Sequence, residues 1–512
     1  MPKEAGFIHI PSDVPGFLGD QSPVTSGLVS RSVSREPFMP SKSVLVLGIG
    51  KSGQATCDYF SSCNVGVLKF DDKLRGDDIV NDVQLIKFAD ILLVVQSPGV
   101  PFDHPVAITA KNYGLEVYSD IDIFMQAVRE HAAAESTPPP LIIGVTGTNG
   151  KSTTVSLIGQ ILRKRYRNVF VGGNIGTPAL SLLTKGADHQ AGRITSEGRN
   201  DQPACDDLIE SPYVYVLELS SYQLELSRSL ALDFTILTNL TPDHIDRHGS
   251  FENYVNSKKK IFAHPNSEVV VCVDDEPSKQ IYKEYASQKQ TITTISERVG
   301  ADVLVDSRGT CHFSDGTCLN LAENSDLLGH HNWVNMAVAC VIGRRLEVLP
   351  TAAIITSLKG MPHRIEIVDQ FNDVIFVNDS KATNAESTIK ALNCFSESEI
   401  FLVAGGRPKT DGIAPAIPHM NSVKEVFLIG DATDRFASEL GKIKHRACGN
   451  LACALEQAFM SAISPSRLPD GAKKVVLLSP ACASFDQFKN YEERGDTFKV
   501  LVRDLLKKER NG

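Results

Sequence analysis

Strand-like apolar runs recur along this chain, each closed by a turn and separated from the next by a segment of helix length. SVLVLGIGKSG opens the series, a strand feeding a glycine turn, and VGVLKF and ILLVVQSPG follow it. LIIGVTGTNGKSTT, YVYVLELSS, DFTILTNLT and VVVCVDD make a second group, and VIFVND, EIFLVAGG, EVFLIGD and KVVLLSP a third. Such alternation predicts parallel α/β sheets. The grouping predicts three α/β domains in series, at 41–137, 138–360 and 361–512. Residues 1–40 are rich in Pro, Ser and Gly without periodicity and read as a flexible extension. ESTPPP (Glu135–Pro140) reads as a stiff linker. The polar stretch within 184–211 reads as a surface insertion, which loops tolerate at small entropic cost.

Composition narrows the function. The chain has 512 residues, about three domains' worth. Its net charge is −9 and it has no long basic run, which argues against general nucleic-acid binding. Eleven cysteines are scattered without CxxC pairs, as suits a reducing compartment. Neither a signal peptide nor an apolar run long enough to span a bilayer is visible. The expectation is a soluble protein of the cytoplasm, and a local basic pocket for an anionic small molecule stays open.

The strongest chemistry lies in GVTGTNGKSTT. A strand ends, glycines permit a tight turn, and Lys151-Ser152 opens a helix whose N–H groups can cradle phosphates. Lys151 would reach the outer phosphates and Ser152 could hold Mg²⁺. The usual G-x-x-x-x-G-K-S spacing needs glycine at 145, where Val145 stands, so this is a variant phosphate loop. Glu218, at the end of the apolar YVYVLE, is costly to bury unless it is paired or binds a metal. Asp243 and His244 in TPDHIDRHGS follow the next strand, at the edge where open α/β sheets bind ligands. The run Lys258-Lys259-Lys260 reads, on the residues alone, as a solvated helix face.

In the first unit, Gly48, Gly50 and Gly53 with Asp71 and Asp72 resemble a dinucleotide fingerprint, and Ser97 in SPGV opens a second strand-end turn. The fingerprint alone leaves NAD, another nucleotide diphosphate or no ligand open. In the third unit, polar turns after three strands hold Asp379, Ser380, Lys381, Thr383 and Asn384, then Lys409, then Ser484. The last belongs to LLSPACASFDQFKNYEERG, where a serine, a lysine, an aromatic and an arginine gather after a buried strand.

Together, GVTGTNGKST, GGNIGTPAL, ELSSYQLE, TPDHIDRHGS, GHHNWVN, MPHRIE, NDSKATN and LLSPACASFDQFKNYEERG resemble the Mur ligases, from about Ser43 to the C-terminus. The last two motifs resemble the member that joins D-glutamate to UDP-N-acetylmuramoyl-L-alanine. The resemblance implies a Rossmann-like N-terminal domain for the UDP sugar, a central P-loop ATPase domain and a Rossmann-like C-terminal domain for the amino acid. It implies a cytoplasmic, monomeric ATP-dependent ligase of peptidoglycan precursor synthesis, working with two Mg²⁺ ions through an acyl phosphate. Gly50, Lys51, Ser52, Asp71, Lys73, Ser97, Asn174 and His244 fall at UDP-substrate positions. Gly147, Thr148, Asn149, Gly150, Lys151, Ser152, Thr153, Asn332, Arg364, Asp379 and Lys381 fall at ATP positions. Thr383, Lys409, Ser484 and Tyr491 fall at amino-acid positions; Arg407-Pro408 stands where the family varies, which loosens the register of Lys409. Ser152, Glu218, His244 and Lys258 fall at metal-site positions, Lys258 as a CO₂-derived carbamate, and Lys151, Glu218, His244 and Lys258 at catalytic ones. Two alternatives stay open here. A related ligase could add another amino acid, although the third unit lacks the DNPR that marks the diamino-acid-adding member. A nicotinamide-dependent dehydrogenase using GIGKSG would leave the phosphate loop unexplained.

Overall fold

The structure, a computed structural model, describes residues 42–134, 137–183, 208–288, 291–298, 300–324, 326–327, 329–408, 412–464 and 473–511. The extension 1–40, most of the insertion, part of the linker and Lys409 lie outside them. The chain divides into two compact units. One runs to Leu319 and includes Val334–Pro350; the other holds Asn320–Trp333 and the residues from Thr351 onward.

The first unit carries two sheets. β1 (Ser43–Leu47), β2 (Val67–Phe70), β3 (Ile79–Val80), β4 (Ile91–Gln96) and β5 (Val117–Ser119) are all parallel, in the order β3-β2-β1-β4-β5. Strand order reverses beside β1, so the turns after β1 and β4 diverge and open a crevice there. β6 (Leu141–Thr146), β7 (Val169–Gly173), β8 (Val214–Glu218), β9 (Phe234–Leu237), β10 (Glu268–Cys272), β11 (Ile292–Ser296), β12 (Val303–Val305), β13 (Thr310–Phe313) and β14 (Cys318–Asn320) form the second sheet. Its order is β14-β13-β12-β11-β10-β9-β6-β8-β7. Pairing is parallel from β7 through β12, and β13 turns back antiparallel.

Buried polar contacts fix these two sheets to each other. Asp122 Oδ2 accepts from the N–H and hydroxyl of Ser119 at the end of β5, at 2.9 and 2.8 Å. Its Oδ1 accepts from the N–H groups of Arg228 and Ser229, at 2.9 and 3.1 Å. A buried carboxylate that accepts four hydrogen bonds is well compensated, and the arrangement orients the first sheet on the second.

The second unit is built on β15 (Glu366–Phe371), β16 (Val374–Asn378), β17 (Glu399–Gly405), β18 (Val423–Ile429), β19 (His445–Gly449) and β20 (Lys474–Leu478), in the order β15-β16-β20-β17-β18-β19. Only β15 is antiparallel to its neighbour. Side chains alternate between faces along a strand, and the cores follow. Ile375, Val377, Leu402 and Ala404 pack on one side with the helix Ala385–Cys394. Val374, Phe376, Phe401 and Val403 pack on the other. There the last helix, Tyr491–Asn511, presents Phe498, Val502 and Leu506, a stripe at four-residue spacing. The insertion's final residues are ordered: Ile209 exchanges backbone hydrogen bonds with Arg165 and Arg167, at 2.8 and 2.9 Å.

Candidate active site

The phosphate loop leaves β6 and enters the helix Lys151–Leu162 at Gly150, which is left-handed with φ +82°. Gly147 has φ +147°, and a Cβ there would fall 2.0 Å from Thr238 Oγ1, so the turn admits no side chain. The loop is braced from the end of β9. Thr238 Oγ1 donates to the Asn149 carbonyl at 2.6 Å, and Asn239 Oδ1 accepts from the Asn149 N–H at 2.8 Å. Lys151 Nζ donates to the Thr148 carbonyl at 2.8 Å, folded over its own turn. Thr153 is buried in the first helical turn.

Glu218 ends β8, and only 3% of it is exposed. Ser152 Oγ donates to its Oε2 at 2.6 Å, and Asn174 Nδ2 to its Oε1 at 2.9 Å. A serine hydroxyl and a carboxylate side by side at a phosphate-loop helix are hard oxygen donors suited to Mg²⁺.

Asn174 also lines a cleft of about 640 Å³ in the same unit. Gly50, Lys51, Ser52, Asp71, Lys73 and Ser97 line it as well. Seven of the eight residues expected at the UDP substrate therefore surround one cavity; His244 is not among its lining residues. Asp71 shapes the rim by accepting from the N–H groups of Ile49, Lys73 and Leu74, at 2.8, 2.9 and 2.9 Å. Partial burial works against its charged form, but these backbone donors outweigh it and hold the carboxyl below its ordinary range. Ser97 Oγ donates to the Gly48 carbonyl at 2.6 Å, tying the two diverging turns together.

The three lysines separate. Lys259 reaches out to Glu284 at 2.6 Å, and Lys260 donates to the Glu225 carbonyl. Lys258 points inward, 2% exposed, and donates to the Gly147 carbonyl at 2.8 Å and to Thr146 Oγ1 at 3.2 Å. Its ammonium also lies 4.9 Å from the centre of the Tyr254 ring. Burial, reinforced by the positive charge of Lys151, holds its amine well below the usual lysine range. The solvated-face reading of the run therefore fails for Lys258, because the helix Phe251–Lys259 turns this position into the core. His244, half exposed and left-handed with φ +52°, sits 3.4 Å from Asp243 and 3.2 Å from the Tyr222 hydroxyl.

In the second unit, the ends of β16, β17 and β20 lie side by side. Asp379 is buried there; its Oδ2 accepts from Ser479 Oγ at 2.8 Å and its Oδ1 from the Ile365 N–H at 3.3 Å. Lys381 lies with its ammonium 5.5 Å from the centre of the Tyr491 ring. The Thr383 N–H donates to the Lys381 carbonyl at 2.8 Å. Ser484 is buried, and its carbonyl accepts from the Phe488 N–H at 2.9 Å, in the turn that leads to Tyr491. Arg407 and Ala483 exchange backbone hydrogen bonds at 2.8 and 3.1 Å, so the turns after β17 and β20 are joined. Arg364 stands between His363 and Ile365, both at positive φ (+63° and +48°). Asn332 is buried in the first turn of the helix His330–Arg345.

Residues 145–343 match the Mur ligase middle domain. The chain is 37% identical over 490 residues, 90% of its own length and 94% of the relative's, to the UDP-N-acetylmuramoylalanine–D-glutamate ligase of Rhodospirillum rubrum. This chain belongs to the Mur ligase family. A Sphingopyxis alaskensis protein of the same name is 38% identical over 90% of this chain and 96% of its own. Among solved structures, the MurF ligase of Thermotoga maritima in complex with ADP aligns with a TM-score of 0.54 at 16% identity, covering 91% of this chain and 96% of that one. That likeness is one of fold, and the α/β architecture of three sheets in series is the Mur ligase arrangement.

Several residues that frame the site were not singled out from the sequence. Tyr254 packs on Lys258 from one helical turn earlier, and its hydroxyl shares a hydrogen bond with Thr148 Oγ1 at 2.8 Å. Asn335 lies against Gly150, and its Oδ1 accepts from Thr154 Oγ1 at 3.1 Å. The four-residue spacing Tyr254–Lys258 and the second asparagine of NWVN were the available signals.

Proposed function

We propose that this chain joins D-glutamate to UDP-N-acetylmuramoyl-L-alanine at the expense of ATP, as a cytoplasmic, monomeric enzyme of peptidoglycan precursor synthesis. The observation that carries the reading is the continuity from substrate cleft to phosphate loop. Asn174 lines the cleft and binds Glu218, and Glu218 binds Ser152 at the start of the phosphate-loop helix. A sugar-linked acid in the cleft is thereby directed toward a nucleotide on the loop, the order in space that phosphoryl transfer to a carboxylate requires.

A free carboxylate does not acylate an amine at a useful rate, because its leaving oxygen is too basic. In the first step an oxygen of the L-alanyl carboxylate attacks the γ-phosphorus, the bond from that phosphorus to the bridging oxygen breaks, and ADP leaves. The product is an acyl phosphate. In the second step the D-glutamate amine attacks the acyl carbon, the C–O bond to phosphate breaks, and the nitrogen loses a proton as the amide forms. The loop N–H groups and Lys151 hold the phosphates and oppose the charge that spreads over the transferred group. Asp379, Lys381, Arg364 and Asn332 serve the nucleotide, and Thr383, Lys409, Ser484 and Tyr491 the amino acid.

Ser152 and Glu218 would hold Mg²⁺, with His244 and a carbamate on Lys258 completing the two-ion site. Mg²⁺ supplies charge neutralisation at the phosphate oxygens. Carbamate formation needs a neutral amine, and burial of Lys258 shifts the group in that direction.

Oxygen labelling tests the mechanism. Substrate carrying ¹⁸O in the alanyl carboxylate should yield inorganic phosphate bearing one ¹⁸O per amide formed. Unlabelled phosphate alongside full amide formation would exclude the acyl phosphate.

A further inference from the structure

The arginine of NYEERG is a charged group that the proposed chemistry leaves without a role. Arg494 lies in the first turn of the last helix, and none of its surface is exposed. Its Nε donates to Ser380 Oγ at 2.9 Å, and its Nη2 to the carbonyls of Ser380 and Cys482 at 2.8 and 3.0 Å. Ser380 belongs to the turn after β16, and Cys482 to the turn after β20. The third nitrogen, Nη1, is buried without a hydrogen-bond partner among the described residues. It presses on the turn after β17: a Cβ on Gly406 would stand 3.1 Å from it and 2.4 Å from the Ala483 carbonyl. One planar group therefore spans three strand-end turns that are distant in sequence.

In sequence, each of those turns leads to a residue proposed for the amino-acid site. Ser380 lies three residues before Thr383, and its hydroxyl passes the contact on to the Tyr491 carbonyl at 2.8 Å. Cys482 lies two residues before Ser484, and Gly406 three before Lys409. Arg494 forms no ion pair with a carboxylate among the described residues. Burying a cation is costly, and burial pushes its pKa down to about 10 against the opposing influence of Asp486 and Asp379 nearby. A lysine could not replace it, because the three directions of the fork are fixed by the plane of the guanidinium.

We propose that Arg494 is the positioning residue of the amino-acid site: it sets the relative placement of the Thr383, Ser484 and Tyr491 segments from behind, and its buried charge favours a dicarboxylate in front of them. This rests on the proposed D-glutamate ligation. Arg494 does not touch the amino acid; it acts through the three turns.

The test is steady-state kinetics of the full-length enzyme with each of the three substrates varied in turn. For Arg494→Lys, the KM for D-glutamate should rise about tenfold or more, because at least one charge-assisted hydrogen bond is lost. The KM for the UDP substrate should stay within about twofold, and that for ATP should move less than that for D-glutamate. Ser380→Ala keeps the charge and a foldable core while it breaks the relay to Tyr491. It should raise the D-glutamate KM about threefold, with the same selectivity, and it decides the matter if Arg494→Lys does not fold. An unchanged D-glutamate KM in Ser380→Ala, or equal shifts in all three KM values with Arg494→Lys, would overturn the proposal. Wild-type enzyme inactive with D-glutamate but active with another amino acid would instead overturn the reading of the substrate.

Discussion

Ser152 Oγ lies 2.6 Å from Glu218 Oε2, so the phosphate-loop helix and the end of β8 meet in one hydrogen bond. Glu218→Gln keeps both contacts, since Ser152 can accept as well as donate, and removes only the charge. We expect kcat to fall by about 100-fold or more while the melting temperature moves little. Activity within tenfold of wild type would mean that this carboxylate is not needed for phosphoryl transfer.

Gly147 allows no Cβ, because Thr238 Oγ1 occupies that space. In Gly147→Ala the loop must shift away from its brace at the Asn149 carbonyl. Stability should fall by about 1–3 kcal/mol, and ATP affinity by more than that loss explains. Nucleotide titration of the folded variant measures the second effect; unchanged affinity would show that the loop does not hold the phosphates.

Asp379 gives a pH dependence with a definite sign. Burial raises its carboxyl pKa to about 7, against the opposing hydrogen bond from Ser479 and the charges of Arg364 and Arg494. An unfolded aspartate titrates at ~3.9, so the unfolded chain releases its proton first. The protonated form's contribution is fully present below about pH 4 and is lost as pH rises through about 7. Denaturant unfolding of wild type minus Asp379→Asn should therefore show stability declining across that window. A flat difference would place the ionised carboxylate comfortably in the fold.

Lys258 carries the modification prediction. In ¹³C-bicarbonate the wild-type enzyme should give a carbamate carbonyl signal that Lys258→Ala lacks, and removal of CO₂ should lower activity. Full activity in CO₂-free buffer, with no such signal, would assign Lys258 a purely structural part.

The phosphate loop was legible in the sequence because its chemistry is backbone chemistry: glycines where a turn must close, then Lys-Ser where a helix must begin. Glu218 was legible because a carboxylate ending an apolar strand needs a reason. Lys258 was not, since three consecutive lysines look alike until packing decides which one faces inward. Only its spacing from Tyr254 hinted at the answer, and the family resemblance supplied the expectation. Arg494 was visible as a residue and silent as a function. Its partners at 380, 406 and 482 are brought together by strand order alone, which no local pattern encodes.

The central claim is that phosphate from ATP is released only as D-glutamate is joined to the sugar-linked acid. Phosphate release measured with UDP-N-acetylmuramoyl-L-alanine, ATP and D-glutamate, and with each omitted in turn, tests it most directly. The account predicts sustained release with all three present, near-background release without any one of them, and loss of turnover in Lys151→Ala. Sustained release without D-glutamate would contradict it.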